Sequence, residues 1–331
     1  MSAIKSFMAP GLTLNRPVRD LRKRILRISF EEVTFERRGF KGDCARETRE
    51  RLEHIGRTFL LGHHAALNDD GCEALASYLG RVDRQFRGFA YEGAAMGLTL
   101  LDQLSLKSRT RLLTFLNGAG SKHTYMIHVG AGWAIARIPW LRRHLNHAMS
   151  RLDPLLRWLV PDGIGFSDFY FNSTSFLSNP QRFNRLQGYA RHAYAQGIGR
   201  SLWFATGADP NRIATTISVL PSSLHGDLWS GAGLACAMAG GVKRPAVERL
   251  RTVAGVHEAA LAQGVAFAAK ARQRASNPAE HTEIACQVIC RLSADGAAQV
   301  TDAMLEQLPK DGDVPAYEIW RQRIQSHLLR S

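Results

Sequence analysis

Two stretches of the chain are apolar almost all the way round at helical spacing: 88–101 and 226–241. A helix with no polar side has to sit in the middle of a protein, since a surface helix keeps one face for water. The stretch 125–138 reads the same way. The two leading stretches are studded with glycine, at Gly93 and Gly97 in the first and at Gly231, Gly233, Gly240 and Gly241 in the second. Each interior glycine costs a helix about 1 kcal/mol relative to alanine. That cost is offset either where two backbones pack closely or where a ligand approaches the helix. With further helical runs on both sides, the pattern predicts an all-α, mostly helical fold.

Compared with itself, the chain repeats four landmarks in order. Gly56-Arg57-Thr58-Phe59 matches Gly199-Arg200-Ser201-Leu202, and the run from Gly88 to Ala95 matches that from Gly226 to Gly233. His123-Thr124 matches His281-Thr282, and Asp162-Gly163 matches Asp311-Gly312. This predicts an internal duplication, with two pseudo-symmetric helical-bundle halves meeting through their most apolar helices. The expected divisions are a basic lead at 1–40, a first half at 41–172, a Ser/Thr/Asn-rich linker at 173–180 and a second half at 181–331. Two units also suit a chain of 331 residues, at roughly 150 residues per domain.

The formal net charge is +14. Such a balance favours acidic partners: nucleic acid, an anionic membrane face, an acidic carrier protein or a phosphorylated substrate. It equally describes a solvated basic face. In the lead, Val18, Leu21, Ile25 and Ile28 recur at helical spacing among Arg19, Arg22, Lys23 and Arg24, a basic amphipathic helix that suits an anionic surface, a partner or plain solvent. The five cysteines are odd in number and form no CxxC pair, so neither a disulfide framework nor a zinc site is expected. No signal-peptide core and no uncharged apolar run of membrane-spanning length is read, which points to the cytoplasm. Walker A, GxGxxG, GxSxG and nucleic-acid-binding motifs are absent from the sequence.

Glu92 stands out as a carboxylate inside an otherwise apolar helix, with Thr99 on the same face and Ser230 at the matching place in the second half. A buried carboxylate is costly unless it is paired or serves a function. The pairing alternatives are Arg57, Arg87 and Arg137. His128 lies between Ile127 and Val129, as either a satisfied core residue or a functional one. His63-His64 and His144/His147 have spacings compatible with metal binding but lack a carboxylate–histidine partner motif, so no metal is expected. Asp69, Asp70 and Glu73 read either as a helix start, where acids favour the dipole, or as a magnesium–diphosphate cluster. Asp162, Asp168 and Tyr170 share an aromatic turn with Phe166, Phe169 and Phe171, suited to the wall of a pocket for a flat or extended apolar ligand or to a buried turn.

Several longer motifs carry a resemblance. They are Arg87-Gly-Phe-Ala-Tyr-Glu-Gly-Ala-Ala-Met96, His128-Val-Gly-Ala-Gly-Trp-Ala134, Leu156-Arg-Trp-Leu-Val160, Gly199-Arg-Ser-Leu-Trp203, the run from Asp227 to Cys236, and Pro315-Ala-Tyr-Glu-Ile-Trp320. They resemble the UnbL-type accessory family, whose members are typically encoded beside enediyne polyketide synthases, over about residues 10 to 328. The resemblance implies a part in maturing a polyene chain into an enediyne core or a related natural product, and it carries no catalytic residues onto this sequence. The leading expectation is a central apolar pocket for a polyene. Its acid–base candidates are Glu92, His128 and Asp162, and Tyr91, Thr99, Phe166, Tyr170, Trp229 and Ser230 are its substrate-binding candidates. The alternatives are a non-catalytic scaffold that docks a polyketide synthase, an acidic carrier protein or a membrane enzyme, and a magnesium-dependent prenyl diphosphate cyclase. The sequence leaves the cofactor open.

Overall fold

The computed structural model describes residues 16–40, 44–105 and 110–329. Among them every regular element is helical, and no strand occurs. Seven helices make the framework: α1 (Arg46–Ala66), α2 (Arg87–Gln103), α3 (Thr124–Arg137), α4 (Leu159–Leu177), α5 (Tyr189–Ala205), α6 (His225–Ala239) and α7 (Glu258–Arg274). Shorter helices make the return between most of them. An eighth, α8 (Ala316–Leu328), packs against α7.

Each framework helix packs on the next through a glycine. A Cβ at Gly132 would lie 2.1 Å from the carbonyl oxygen of Val160, and one at Gly163 would lie 2.0 Å from that of Val129. The same reciprocal arrangement joins Gly165 to Tyr194 and Gly197 to Asp162, then Gly199 to Leu228 and Gly231 to Gln196, then Gly233 to Leu261 and Gly264 to Ser230. At the other end Gly62 meets Ala90 and Gly93 meets Phe59, while Gly130 meets Glu92. No side chain fits at these points, so the backbones touch.

The spacing of the glycines explains how one helix serves two neighbours. Residues two apart are about 200° apart around a helix. In Gly130-Ala-Gly132, Gly163-Ile-Gly165, Gly197-Ile-Gly199 and Gly231-Ala-Gly233, the first glycine therefore faces the preceding helix and the second faces the following one. The first glycines recur at 93, 130, 163, 197, 231 and 264, a period of roughly 34 residues, as in other arrays of repeated helical units. Equivalent positions meet across a crossing: Trp133 and Phe166, each three residues after a first glycine, have ring centroids 5.0 Å apart. Tyr170 and Phe204, each seven after, are 6.2 Å apart. Neighbouring framework helices therefore run in the same direction.

The row curls until α1 meets α6. Thr48 Oγ1 donates to the Gly241 carbonyl at 2.6 Å, and Arg51 Nε donates to that of Ala239 at 2.7 Å. Arg272 of α7 fastens the same corner, donating to the Met238 carbonyl at 2.6 Å. Helices α1 to α6 thus surround an axis, with α7 and α8 outside.

The all-α expectation is met, whereas the duplication into two halves is not confirmed. Gly93 and Gly231 do occupy equivalent crossings, four repeat units apart. Their companion landmarks do not: Gly56 packs on Val33 where Gly199 packs on α6, and Gly312 lies in a bend where Gly163 lies in a helix crossing. The stretch 173–177 continues α4 past a non-helical Asn172, and Pro180–Arg185 forms a short 3-10 helix. In the lead, the helix Arg16–Leu26 leaves Leu21 and Ile25 exposed. The side chains of Val18, Arg19 and Arg22 lie outside the described residues.

Gly197→Ala should lower stability by about 3 kcal/mol or more, because its new methyl would meet backbone that cannot rotate away. Gly226→Ala, in the same family of helices but with nothing within 4 Å of the added carbon, should be neutral or stabilising by up to about 1 kcal/mol. Equilibrium denaturation of both variants checks this. Equal losses would show that the crossings are not tight.

Candidate functional site

On the C-terminal side of the crossings, the residues three positions after the first glycines of α3 to α6, and seven positions after those of α4 to α6, turn toward the axis. They are Trp133 from α3, Phe166 and Tyr170 from α4, Arg200 and Phe204 from α5, and Leu234 and Met238 from α6. Ile55, Phe59 and Leu60 of α1, Phe89 and Glu92 of α2, and Val33 complete the opposite wall. They line a narrow slot, a cavity of about 40 Å³. The space is a slit between side chains, seven of them aromatic: Phe59, Phe89, Trp133, Phe166, Tyr170, Phe171 and Phe204. Among the described residues lining it, Glu92 is the one acid and Arg200 the one base.

Glu92 is 3 % exposed. Its Oε1 accepts a hydrogen bond from Trp133 Nε1 at 3.0 Å and lies 3.8 Å from Arg200 Nη2. Burial pushes its carboxyl up from 4.5 to about 7, against the opposing pull of Arg200 and Trp133. Arg200 pairs with Asp162 through Nη1 and lies with its guanidinium carbon 5.1 Å from the centre of the Phe166 ring. The arginine keeps its proton because Asp162 and Glu92 outweigh the burial that would strip it. A carboxyl poised near neutrality beside a fixed cation in an apolar slot can both give and take a proton.

A polar ladder leaves the slot along the framework. The residue just before the first glycine is Glu92, Asp162, Gln196, Ser230 and Gln263 in five of the helices. Gln196 Nε2 donates to Asp162 Oδ2 at 2.9 Å, Ser230 Oγ lies 3.4 Å from Gln196 Oε1, and it donates to Gln263 Oε1 at 2.8 Å. Arg321 of α8 donates to Gln263 at 3.1 Å and to Asp227 at 2.7 Å. Asp227 then holds His192 at 2.8 Å, at the surface.

The structure brings together Glu92, Phe166 and Tyr170 in the slot wall, with Asp162 directly behind Arg200 and Ser230 further along the ladder. The other candidates lie elsewhere. Tyr91 stacks on His123 at 4.0 Å, away from the slot. Thr99 donates to the Ala95 carbonyl and lines a separate surface pocket with His144 and His147. His128 bonds the Thr124 carbonyl at 2.7 Å, and burial lowers its imidazole. Trp229 is buried outside the slot lining. Asp168 is held by Arg142 and by Tyr194 at 2.8 Å.

The pairing anticipated for Glu92 needs correction. Arg57 pairs with Glu53 at 2.9 Å and Arg87 donates to the carbonyls of Gly80 and Val82, so the cation beside Glu92 is Arg200. Arg200 and Trp133 were not singled out as site residues, although each stands three residues after a first glycine, where Phe166 also stands. Asp69, read within an acidic cluster, pairs with Arg111 at 2.8 Å. His63 and His64 bond the carbonyls of Leu26 and Ile28. Among the described residues no group of three or more His, Cys, Asp or Glu is arranged to hold a metal ion.

A family model described as "Protein of unknown function (DUF1702)" matches residues 17–328. The chain belongs to this family. No curated protein and no solved structure matches it. Among the described residues no helix is long and apolar enough to cross a membrane.

Glu92 has a raised folded-state pKa, so its proton is held more tightly in the folded chain than in the unfolded one. Its contribution is therefore full below about 4.5 and is lost as pH rises through about 7. Denaturation at a series of pH values should show stability falling by a few kcal/mol across that window. Glu92→Gln, which fixes the neutral form, should remove this part of the slope. An unchanged slope in the variant would mean that Glu92 titrates as it does in water.

Proposed function

We propose that this chain is an accessory protein of enediyne or related polyketide biosynthesis, and that it holds a lipophilic polyene intermediate in the central slot and acts on it through Glu92. The observation that carries the reading is an apolar, aromatic-lined slot with a single carboxyl, Glu92, buried in its wall beside Arg200. A slit this thin suits a flat conjugated chain better than a bulky ring system, and aromatic faces stack on such a chain. A proton-transferring group works best when its pKa lies near the working pH, and burial beside Arg200 brings Glu92 there. The link to enediyne pathways rests on the resemblance to the UnbL-type family, whose motifs include both Glu92 and Trp133. Asp162 serves by anchoring Arg200, Phe166 and Tyr170 by forming the wall, and the cytoplasm is the expected compartment for handling a synthase product.

A second reading has one observation in its favour. Leu21 and Ile25 are exposed on the helix Arg16–Leu26, next to Lys23 and Arg24, as on a basic amphipathic helix that docks an acidic carrier protein or synthase. In that case the slot would be dispensable and the docking helix would not.

Protein purified from a host that runs the pathway should release a conjugated polyene on solvent extraction, detected by mass spectrometry and absorbance. Glu92→Gln should cut the pathway product by about 100-fold or more while leaving the bound polyene in place. Unchanged product with Glu92→Gln, alongside loss of product on charge reversal at Lys23 and Arg24, would favour the docking reading.

A further inference from the structure

Arg200 carries more donor capacity than its surroundings use. Its Nη1 is spent on Asp162, and Nη2 faces Glu92 at 3.8 Å. Nε is buried and has no hydrogen-bond partner in the structure. Of the nearby acids, Asp162 Oδ2 accepts from Gln196 and Glu92 Oε1 accepts from Trp133, and neither acid accepts from Nε. A buried N–H without an acceptor is costly, and here it belongs to a residue that is 4 % exposed and lines the slot. Its position is fixed from three sides, by Asp162, Glu92 and the Phe166 ring.

Resting on the reading of the slot as a polyene site, we infer that the chain it accepts carries a neutral carbonyl oxygen, which takes the hydrogen bond from Arg200 Nε–H. The charge count in the slot selects neutral over anionic. Arg200 is already matched by Asp162, so a carboxylate would bring an uncompensated charge into an apolar slit beside Glu92. A ketone, aldehyde, ester or thioester oxygen brings acceptor lone pairs and no charge. Conjugation with the polyene keeps the group flat, as the slit requires. A hydrogen bond from a guanidinium also draws electron density toward the oxygen, which makes protons along the conjugated chain easier to move. The same contact would therefore both position the substrate and prepare it for transfer at Glu92.

Binding of two probes to the wild-type protein tests this. One is a conjugated tetraene methyl ketone, and the other is its isostere with a methylidene group in place of the carbonyl oxygen. The ketone should bind about 10- to 100-fold more tightly, the range for a hydrogen bond to a charged donor, and its carbonyl stretching frequency should fall on binding. Arg200→Met should abolish the preference while the isostere binds as before. The wild-type comparison stands even where that variant does not fold. Equal affinities with an unshifted carbonyl stretch would overturn the inference and leave the polyene slot intact. A matching tetraene carboxylate that binds more tightly than the ketone would overturn the choice of a neutral group. If no probe binds, the slot reading falls and this inference falls with it.

Discussion

Backbone contact between successive helices, at points where glycine leaves no side chain in the way, sets everything else in this protein. Packing helices this closely forgoes the usual interlocking of large side chains at the crossing. It also fixes where each helix can cross its neighbour, because the glycine must meet a particular carbonyl. Gly163 against Val129 and Gly197 against Asp162 are such fixed points. Once crossings are pinned, the residues that follow them in α3 to α6 have no choice of direction. They are brought to a common axis, and there the chain places Trp133, Phe166, Tyr170, Phe204 and Met238. The large side chains excluded from the crossings thus meet at the centre, and they meet imperfectly, leaving a slit.

The polar residues obey the same geometry. The position before the first glycine lies beside a neighbouring helix, deep in the protein, so any polar group there must find a partner across the crossing. Asp162, Gln196, Ser230 and Gln263 do so by bonding to one another or to arginines, in a line that ends on Asp227 and His192. Glu92 is the member whose side chain reaches the slot, with only an indole N–H and a more distant guanidinium for company. That company does not offset the cost of burying its charge, so its affinity for a proton rises.

Much of this was readable from residue types alone. Apolar, glycine-studded stretches announced buried helices, and Glu92 was conspicuous because a carboxylate seldom sits in such company. The period was harder. At an offset of about half the chain, Gly93 falls opposite Gly231, which is equivalent to it, whereas Gly56 falls opposite Gly199 and Gly163 opposite Gly312, which are not equivalent. The unit is the single helix with its two glycines, and its spacing drifts with each return loop, which hides it from a fixed-offset comparison. With the smaller unit missed, Arg200 had no reason to be grouped with Trp133 and Phe166. His128, Tyr91 and Thr99 share helices with slot residues but project to other sides. Their chemistry was visible in the sequence, and their direction depended on crossings that no local pattern encodes.

Glycine-fixed crossings hold an unfilled apolar slit at the axis of the first six helices. A crystal structure determined under xenon pressure tests it most directly, since xenon enters apolar voids and leaves polar ones. Xenon density should lie between Trp133, Phe166 and Phe204, with the helix crossings unmoved. An axis filled by those side chains, with no xenon there, would contradict it.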